Sequence, residues 1–450
     1  MLSLKGQAAS ALAEGNFDQV DRLLSKAEDN YQRVRTLEEV RKFAEIRITR
    51  GDNSLFRGDP GGALALYLSA AEFFRPFDES EMATCLSEMA GKAYEVARRT
   101  LDAGFFVASR LLETLIEIPS LQVNLRDMAI AKYQLGLIYR SEYEQSPRDG
   151  VGESLDKAIS YARQSNFFFE QEGGSFESVS AAISLANCLW QRGKSGAVPN
   201  DIKEAVEIFE KANSNLSGLS NAAELVPHIC NNLGGALLDL RELSAPEIAS
   251  SLLDKALDAF NTGVKASEEF SNAEGWAAAK SNLGGLLAQK AQMDGSDESI
   301  RNFLRVRAIA ELSAALEAWP SVAFPIPYAQ TQLRLGDVLR VHAVSIGEPL
   351  AELYLHRALQ AYEAATSVYS EERDPARWAH IQIQIGSIFA FHAKMEGVNT
   401  VRDDYMRAVD DYRKALPILR NSTDELAADW CAQALKRAEV ALTTFQDEDD

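Results

Sequence analysis

Two landmarks recur along this 450-residue chain with one shared period, and nothing else in it constrains the fold so tightly. The first is a Leu-Gly-like pair, found as Leu135–Gly136, Leu185–Ala186, Leu233–Gly234, Leu283–Gly284, Leu335–Gly336 and Ile385–Gly386. The steps between second members are 50, 48, 50, 52 and 50 residues. The second is an alanine followed four places on by a packing residue: Ala158/Ala162, Ala205/Phe209, Ala256/Phe260, Ala308/Leu312, Ala358/Tyr362 and Ala408/Tyr412, with steps of 47, 51, 52, 50 and 50. Two independent landmarks holding one period mark an array of repeats. Both lie in apolar patterns of helical spacing. A small residue midway along a helix lets a neighbour approach, and a large residue four places after the alanine lies on the same face and fills the gap. Glycine inside a helix costs roughly 1 kcal/mol relative to alanine, so its return at this position demands a packing reason.

The flanking segments extend the array. Residues 4–30 read as a helical hairpin with apolar stripes Ala8, Ala11, Leu12 and Val20, Leu23, Leu24 about a Gly15-Asn16 turn. A second hairpin covers 33–75, with Gly51, Ala63 and Tyr67 as landmarks and FRGDPGG as its turn; a third covers 79–118, with Gly91 and Ala108 in the corresponding places. Residues 424–445 read as a last helix in which Leu435–Lys436 stands where Leu-Gly would recur, and lysine there suits a capping helix whose outer face meets water. The DEDD tail is expected to be mobile. The expected fold is therefore all-α: an α-solenoid of about nine antiparallel helical hairpins plus a C-terminal capping helix. It is expected to form one continuous domain over 1–450, with shorter repeats in 1–120, long repeats in 121–422, and the cap and acidic tail in 423–450.

These landmarks resemble the tetratricopeptide repeat, LGxxY with a following AxxxF. Leu135-Gly136-Leu137-Ile138-Tyr139 matches the first half, Ala205/Phe209 and Ala256/Phe260 match the second, and Gly51 to Ala63 has the family's internal spacing of 12. The later repeats depart from it: their landmark gaps are 22, 19, 22, 24, 22 and 22, and each repeat is near 50 residues against the family's 34. The tryptophan of the motif is missing four places before the glycine; aromatics stand eight before it, as Trp276, Tyr328 and Trp378. Longer first helices starting near those aromatics account for the extra length, and about 18 residues would span roughly 27 Å. Runs such as DPARWAHIQIQIG look like the long tetratricopeptide-like repeats of bacterial multidomain proteins.

The resemblance implies a right-handed superhelix whose first helices line a concave face. Carried onto this sequence, the groove positions are Tyr133, Gln134, Arg140, Asn187, Asn231, Asn232, Asn282, Gln289, Arg334, Arg340 and Gln384, beside Gln191, Asp239, Ser281, Asp337 and Ser387. Asn and Gln both donate and accept, which suits gripping an extended peptide backbone; they also suit hydrogen bonds between neighbouring repeats.

A formal charge of -20 repels phosphates and anionic bilayers, so nucleic acid and membranes are poor partners and basic peptides or proteins are favoured in encounter. Four separated cysteines, Cys85, Cys188, Cys230 and Cys431, read as buried thiols of a reducing, cytoplasmic compartment. No apolar run is long enough to span a bilayer, and the N-terminus is a poor signal peptide.

Arg192-Gly193-Lys194-Ser195 ends like a phosphate loop but lacks the earlier glycine and the strand; Gly150-Val151-Gly152 lacks the third glycine of a dinucleotide fingerprint. Of the histidines, His380 and His392 stand 12 apart on one helix, about 18 Å, too far to share a metal. Asp294 to Glu298 has no calcium-loop spacing and reads as a helix start capped by Asp297 or Ser296.

The expectation is accordingly a non-catalytic protein- or peptide-binding scaffold, with no metal and no cofactor. The alternative is a sensor or regulatory arm of a bacterial signalling or anti-phage defence system controlling an effector enzyme. Self-association, or an effector meeting the apolar N-terminal residues Leu2 and Leu4, are further expectations.

Overall fold

The computed structural model describes residues 4–29, 37–100, 104–145, 153–173, 175–196, 198–216, 223–293, 297–347, 349–395, 398–422 and 424–444. Every regular element among them is helical. The chain divides into two compact units, Met1–Ala222 and Ala223–Asp450. The Gly150-Val151-Gly152 fragment, Ser296, Leu2 and the DEDD tail lie outside the described residues.

The first unit holds α1 (Leu4–Ala13), α2 (Phe17–Asp29), α3 (Leu37–Phe56), α4 (Pro60–Glu72), α5 (Glu79–Thr100), α6 (Gly104–Ile116), α7 (Pro119–Val123), α8 (Leu125–Gln145), α9 (Glu153–Glu172), α10 (Phe176–Lys194) and α11 (Asn200–Asn215). The second opens on a single 3-10 turn, Ala223–Leu225. It then runs through α12 (Val226–Glu242), α13 (Pro246–Glu269), α14 (Ala273–Lys290), α15 (Glu298–Ala318), α16 (Pro325–Ile346), α17 (Ala351–Thr366), α18 (Pro375–His392), α19 (Val401–Arg420) and α20 (Glu425–Thr443). In each unit consecutive helices pair as hairpins, and a second helix packs on the first helix of the next hairpin, as α9 on α10, α13 on α14 and α15 on α16. Nine hairpins and a last single helix are therefore present among the described residues.

The landmarks are the hairpin joints. Ala63, Ala108, Ala158, Ala205, Ala256, Ala308, Ala358 and Ala408 are all fully buried. A Cβ on the facing glycine would fall 2.5 Å from Tyr67 at Gly51, 2.5 Å from Phe260 at Gly234, 2.6 Å from Leu312 at Gly284, 2.7 Å from Tyr362 at Gly336 and 2.8 Å from Tyr412 at Gly386. These distances leave no room for a methyl group, which is the packing reason the sequence demanded. Gly136 is looser: its Cβ would meet Ala158 O and Ala162 Cβ at 3.4 and 3.5 Å, because small residues face it.

The third hairpin differs from expectation. Gly91 is exposed and a Cβ there would meet nothing within 4 Å. The buried pair is one residue earlier, Met89–Ala90, an alanine variant of the landmark like Leu185–Ala186. Close approach in this hairpin comes from the other helix, where a Cβ on Gly104 would fall 2.6 Å from Ala93 O. The short helix α7, wedged between α6 and α8, was not foreseen either.

First helices do start before the aromatics, and in several the starting signal is a capping side chain twelve residues before the notch, whereas α16 starts at Pro325 behind Phe324 with no side-chain cap. Asn272 accepts from Gly275 N (2.8 Å), Asp374 from Arg377 N (3.1 Å) and Asp424 from Ala427 N (3.0 Å). Such a cap satisfies one of the donors that a helix leaves unpaired at its N-terminus. Asp297 caps α15 through Ser299 N at 2.7 Å. At the chain's end Lys436 is exposed while Leu435 packs on the terminal core of Tyr412, Leu416 and Cys431, as a cap requires. At the start, Leu4 packs on the cluster of Ala8, Ala11, Val20, Leu24 and Ile46. All four cysteines are buried free thiols.

Candidate partner-binding face

The notch fixes which way each first helix turns, so residues just before it share one face. The structure joins some of the expected groove residues of the second unit to one another. Asn282 Nδ2 donates to Asn231 Oδ1 (2.7 Å), and Arg334 Nη1 donates to Asn282 Oδ1 (2.8 Å) and Ser281 Oγ (3.1 Å). Ser281 Oγ also lies 2.9 Å from Thr331 Oγ1. A polar ladder thus runs over three successive first helices, α12, α14 and α16. Asn282 thereby joins neighbouring repeats, the second of the two roles expected of the amides.

Arg334 is the unusual member. It lies over Gly285, whose added Cβ would sit 3.6 Å from the guanidinium stem. Its hydrogen-bond partners among the described residues are neutral oxygens, and burial alone pulls its pKa below the ordinary arginine value. A half-buried cation without a carboxylate beside it retains donors for an acceptor from outside.

Arg340 and Gln384 meet in a cleft of about 430 Å³ completed by His380, Ile383, Ser387, Ala427 and Trp430. Arg340 Nε is buried there without a hydrogen-bond partner. In the first unit Arg140 Nε stands 3.5 Å from Glu144 Oε1, which also accepts from Gln191 Nε2 of the next first helix at 2.5 Å. Gln134 lines a separate cleft described below. Asn187 and Asn232 each have an interaction partner within the protein. Gln289 is half-buried five residues past its notch and about two turns along α14 from Asn282. Tyr133 packs against Ala129, Phe169 and Ala181, and burial raises its phenol pKa; its ring belongs largely to the core.

The register also exposes a residue the sequence reading missed. Gln134, Asn232, Asn282, Arg334 and Gln384 all stand two places before the notch, and with Met89–Ala90 as the third hairpin's notch, Glu88 joins them. Asp78, twelve before Ala90 and accepting from Ser80 N at 2.8 Å, was the sequence signal for that register.

His392 Nδ1 lies 2.8 Å from the buried Asp404, which also accepts from Thr400 Oγ1 at 2.8 Å. That geometry would suit a general base. The same two positions, six after the notch and four before the second alanine, are joined in other hairpins by different chemistry. Ser154 donates to Glu142 at 3.0 Å, Arg192 to Asp201 at 2.5 Å, and His342 packs edge-on to Tyr354 with centroids 4.6 Å apart. The His–Asp pair is one of a series of latches that close the turn end of a hairpin. Arg192-Gly193-Lys194-Ser195 falls under the same rule: Arg192 holds Asp201 and Asp156 at a helix end. Among the described residues no three His, Cys, Asp or Glu side chains are grouped to hold a metal ion, and no helix is long and apolar enough to cross a membrane.

The joints, paired helices and register define the chain as tetratricopeptide-like helical repeats. No family model and no curated protein matches the sequence. Among solved structures it is similar to the human IFIT1 dimer with m7Gppp-AAAA, at 12% identity over 96% of this chain and 88% of that one, TM-score 0.40. It is also similar to the TPR2AB-domain:pHSP90 complex of yeast Sti1, at 13% identity over 70% and 99%, TM-score 0.22. For BtubC of P. vanneervenii the figures are 19%, 64% and 90%, with TM-score 0.34.

Proposed function

We propose that this chain is a non-catalytic scaffold that holds an extended segment of a partner protein along its first-helix face. The observation that carries the reading is Arg334, a half-buried guanidinium among neutral partners at the end of the Asn231–Asn282 ladder. Peptide carbonyls supply the missing acceptors, and the amides on either side can donate and accept along the same strand.

The test is photo-cross-linking in the native host. A benzophenone residue replacing Gln289, on a first helix, should capture a defined partner; one replacing exposed Gln360, on second helix α17, should not. Capture at 289 should fall when Asn282→Ala and Arg334→Ala are combined. Equal capture from both positions, or capture indifferent to the double variant, would overturn the reading.

A further inference from the structure

The first unit carries a cleft of about 250 Å³ where the row of first helices is interrupted. Helix α7 packs against α5, α6 and α8, and α5 and α8 form the two walls. The floor is apolar: Leu115 and Leu121 are buried, and Ala131 and Ile130 complete it. The rim is polar. Ser87 and Glu88 come from α5, Asp127 and Gln134 from α8.

Three of these rim side chains have nothing to hold. Ser87, Glu88 and Gln134 make no hydrogen bond or ion pair with other described residues. The ladder in the second unit, at the same register, is by contrast joined from helix to helix. Asp127 meets Asn124 Nδ2 at 2.5 Å and keeps its exposed carboxylate at the start of α8. An apolar floor beneath an acidic, hydrogen-bonding rim fits one kind of side chain: a long aliphatic stem ending in a cation. The rim hydroxyl and amide oxygens add acceptors for several N–H donors, which favours a guanidinium over a compact ammonium.

We infer that the cleft between α5 and α8 receives an arginine side chain of the partner, its stem on Leu115, Leu121 and Ile130 and its guanidinium between Glu88 and Asp127. This rests on the first-helix face being a binding surface and names the chemistry read at one place on it. It also gives the chain's charge of -20 a local use, since a cationic residue drawn in by the general field finds here a site shaped for it.

The probe is Nα-acetyl-arginine methylamide, titrated into the full chain while methyl NMR signals of Leu115, Leu121 and Ile130 are followed. Saturable shifts confined to these methyls are expected. Glu88→Gln should weaken binding by about threefold, the scale of one exposed ion pair, with unchanged melting because Glu88 supports no other group. Ile130→Gln, at an exposed edge of the floor, should weaken it independently. The norleucine analogue should bind far less. Equal binding of the norleucine analogue, indifference to both variants, or no saturable shift would each overturn the inference. Failure of the wider scaffold reading would show separately, in the cross-linking from α14.

Discussion

Tyr362 packs against Gly336 and its phenol donates to the carboxylate of the next residue, Asp337, at 2.6 Å. The relationship repeats: Tyr67 covers Gly51 and donates to Asp52 at 2.7 Å, and Tyr412 covers Gly386 with its oxygen 3.4 Å from Ser387 Oγ. In two hairpins whose covering residue has no hydroxyl, Phe260 and Leu312, the residue after the notch is a second glycine, Gly235 or Gly285. The polar partner is present where there is a donor to satisfy, as the cost of leaving buried polar groups unpaired requires.

Glycine substitutions should therefore split by sign. Gly336→Ala puts a methyl 2.7 Å from the Tyr362 ring and should cost about 1–3 kcal/mol through overpacking. Gly91→Ala meets nothing within 4 Å and should stabilise by about 0.5–1 kcal/mol through helix propensity. Urea melts of the two variants measure this; a change of the same sign in both would refute the notch.

Tyr362→Phe keeps the ring over Gly336 and removes only the hydroxyl. A loss of about 1–2 kcal/mol is expected, since Asp337 then lacks its donor. The paired variant Tyr362→Phe with Asp337→Gly copies the Phe260/Gly235 arrangement. If the hydroxyl–carboxylate bond carries the effect, replacing Tyr362 should cost less in an Asp337→Gly background than in the wild type.

A half-buried carboxylate and a buried imidazole give stability opposite slopes with pH. Burial pushes the Asp411 carboxyl up to about 6 from 3.8, with the Lys414 ammonium opposing. The folded state then holds its proton longer than the unfolded chain, so its contribution is complete below pH 3.8 and is lost as pH rises through about 6. Asp411→Asn should stabilise the protein at pH 7 by on the order of 1 kcal/mol after allowance for solvent screening, with the gain vanishing in acid. Chemical denaturation of both proteins from pH 3 to 8 checks this.

His342 acts the other way. Its ring is buried against Tyr354 with neither nitrogen hydrogen-bonded, and burial, with Arg305 nearby, lowers its pKa below 6.5. The unfolded chain takes up the proton first, so stability is lost as pH falls below about 6.5. His342→Phe should keep the edge-on ring contact and reduce that acid-side loss; an unchanged slope between pH 7 and 5 would contradict the assignment.

The ladder should behave as one unit. Asn282→Ala and Arg334→Ala, singly and together, should show a coupling of about 1 kcal/mol in a double-mutant cycle, because each removes the same 2.8 Å bond. Additive losses would mean that the bond contributes nothing measurable.

The joints were legible in the sequence because close helix approach leaves only glycine or alanine at the crossing, and a mandatory small residue shows itself as a period. Gly91 shows the limit of reading the letter in place of the constraint: the third hairpin meets the need with Ala90, and the adjacent glycine is exposed. Reading the caps would have corrected the register, since Asp78 stands as far before Ala90 as Asp374 does before Gly386. Helix α7, five residues long, is too short for periodicity to announce. That Gln134, Asn232, Asn282, Arg334 and Gln384 share a register could be read from the sequence. That Asn282 would spend both ends of its amide on Asn231 and Arg334 could not, because the offset between stacked helices decides which side chains meet.

The glycine and the ring that covers it belong to one hairpin, whereas the ladder is shared among three. Excising a whole 50-residue period should leave every surviving glycine with the side chain that packs on it, yet would cut Asn282 off from one or both of its neighbours. The notch contact is complete within each hairpin, even though the hairpins stack on one another. The ladder belongs to the order in which the hairpins are strung.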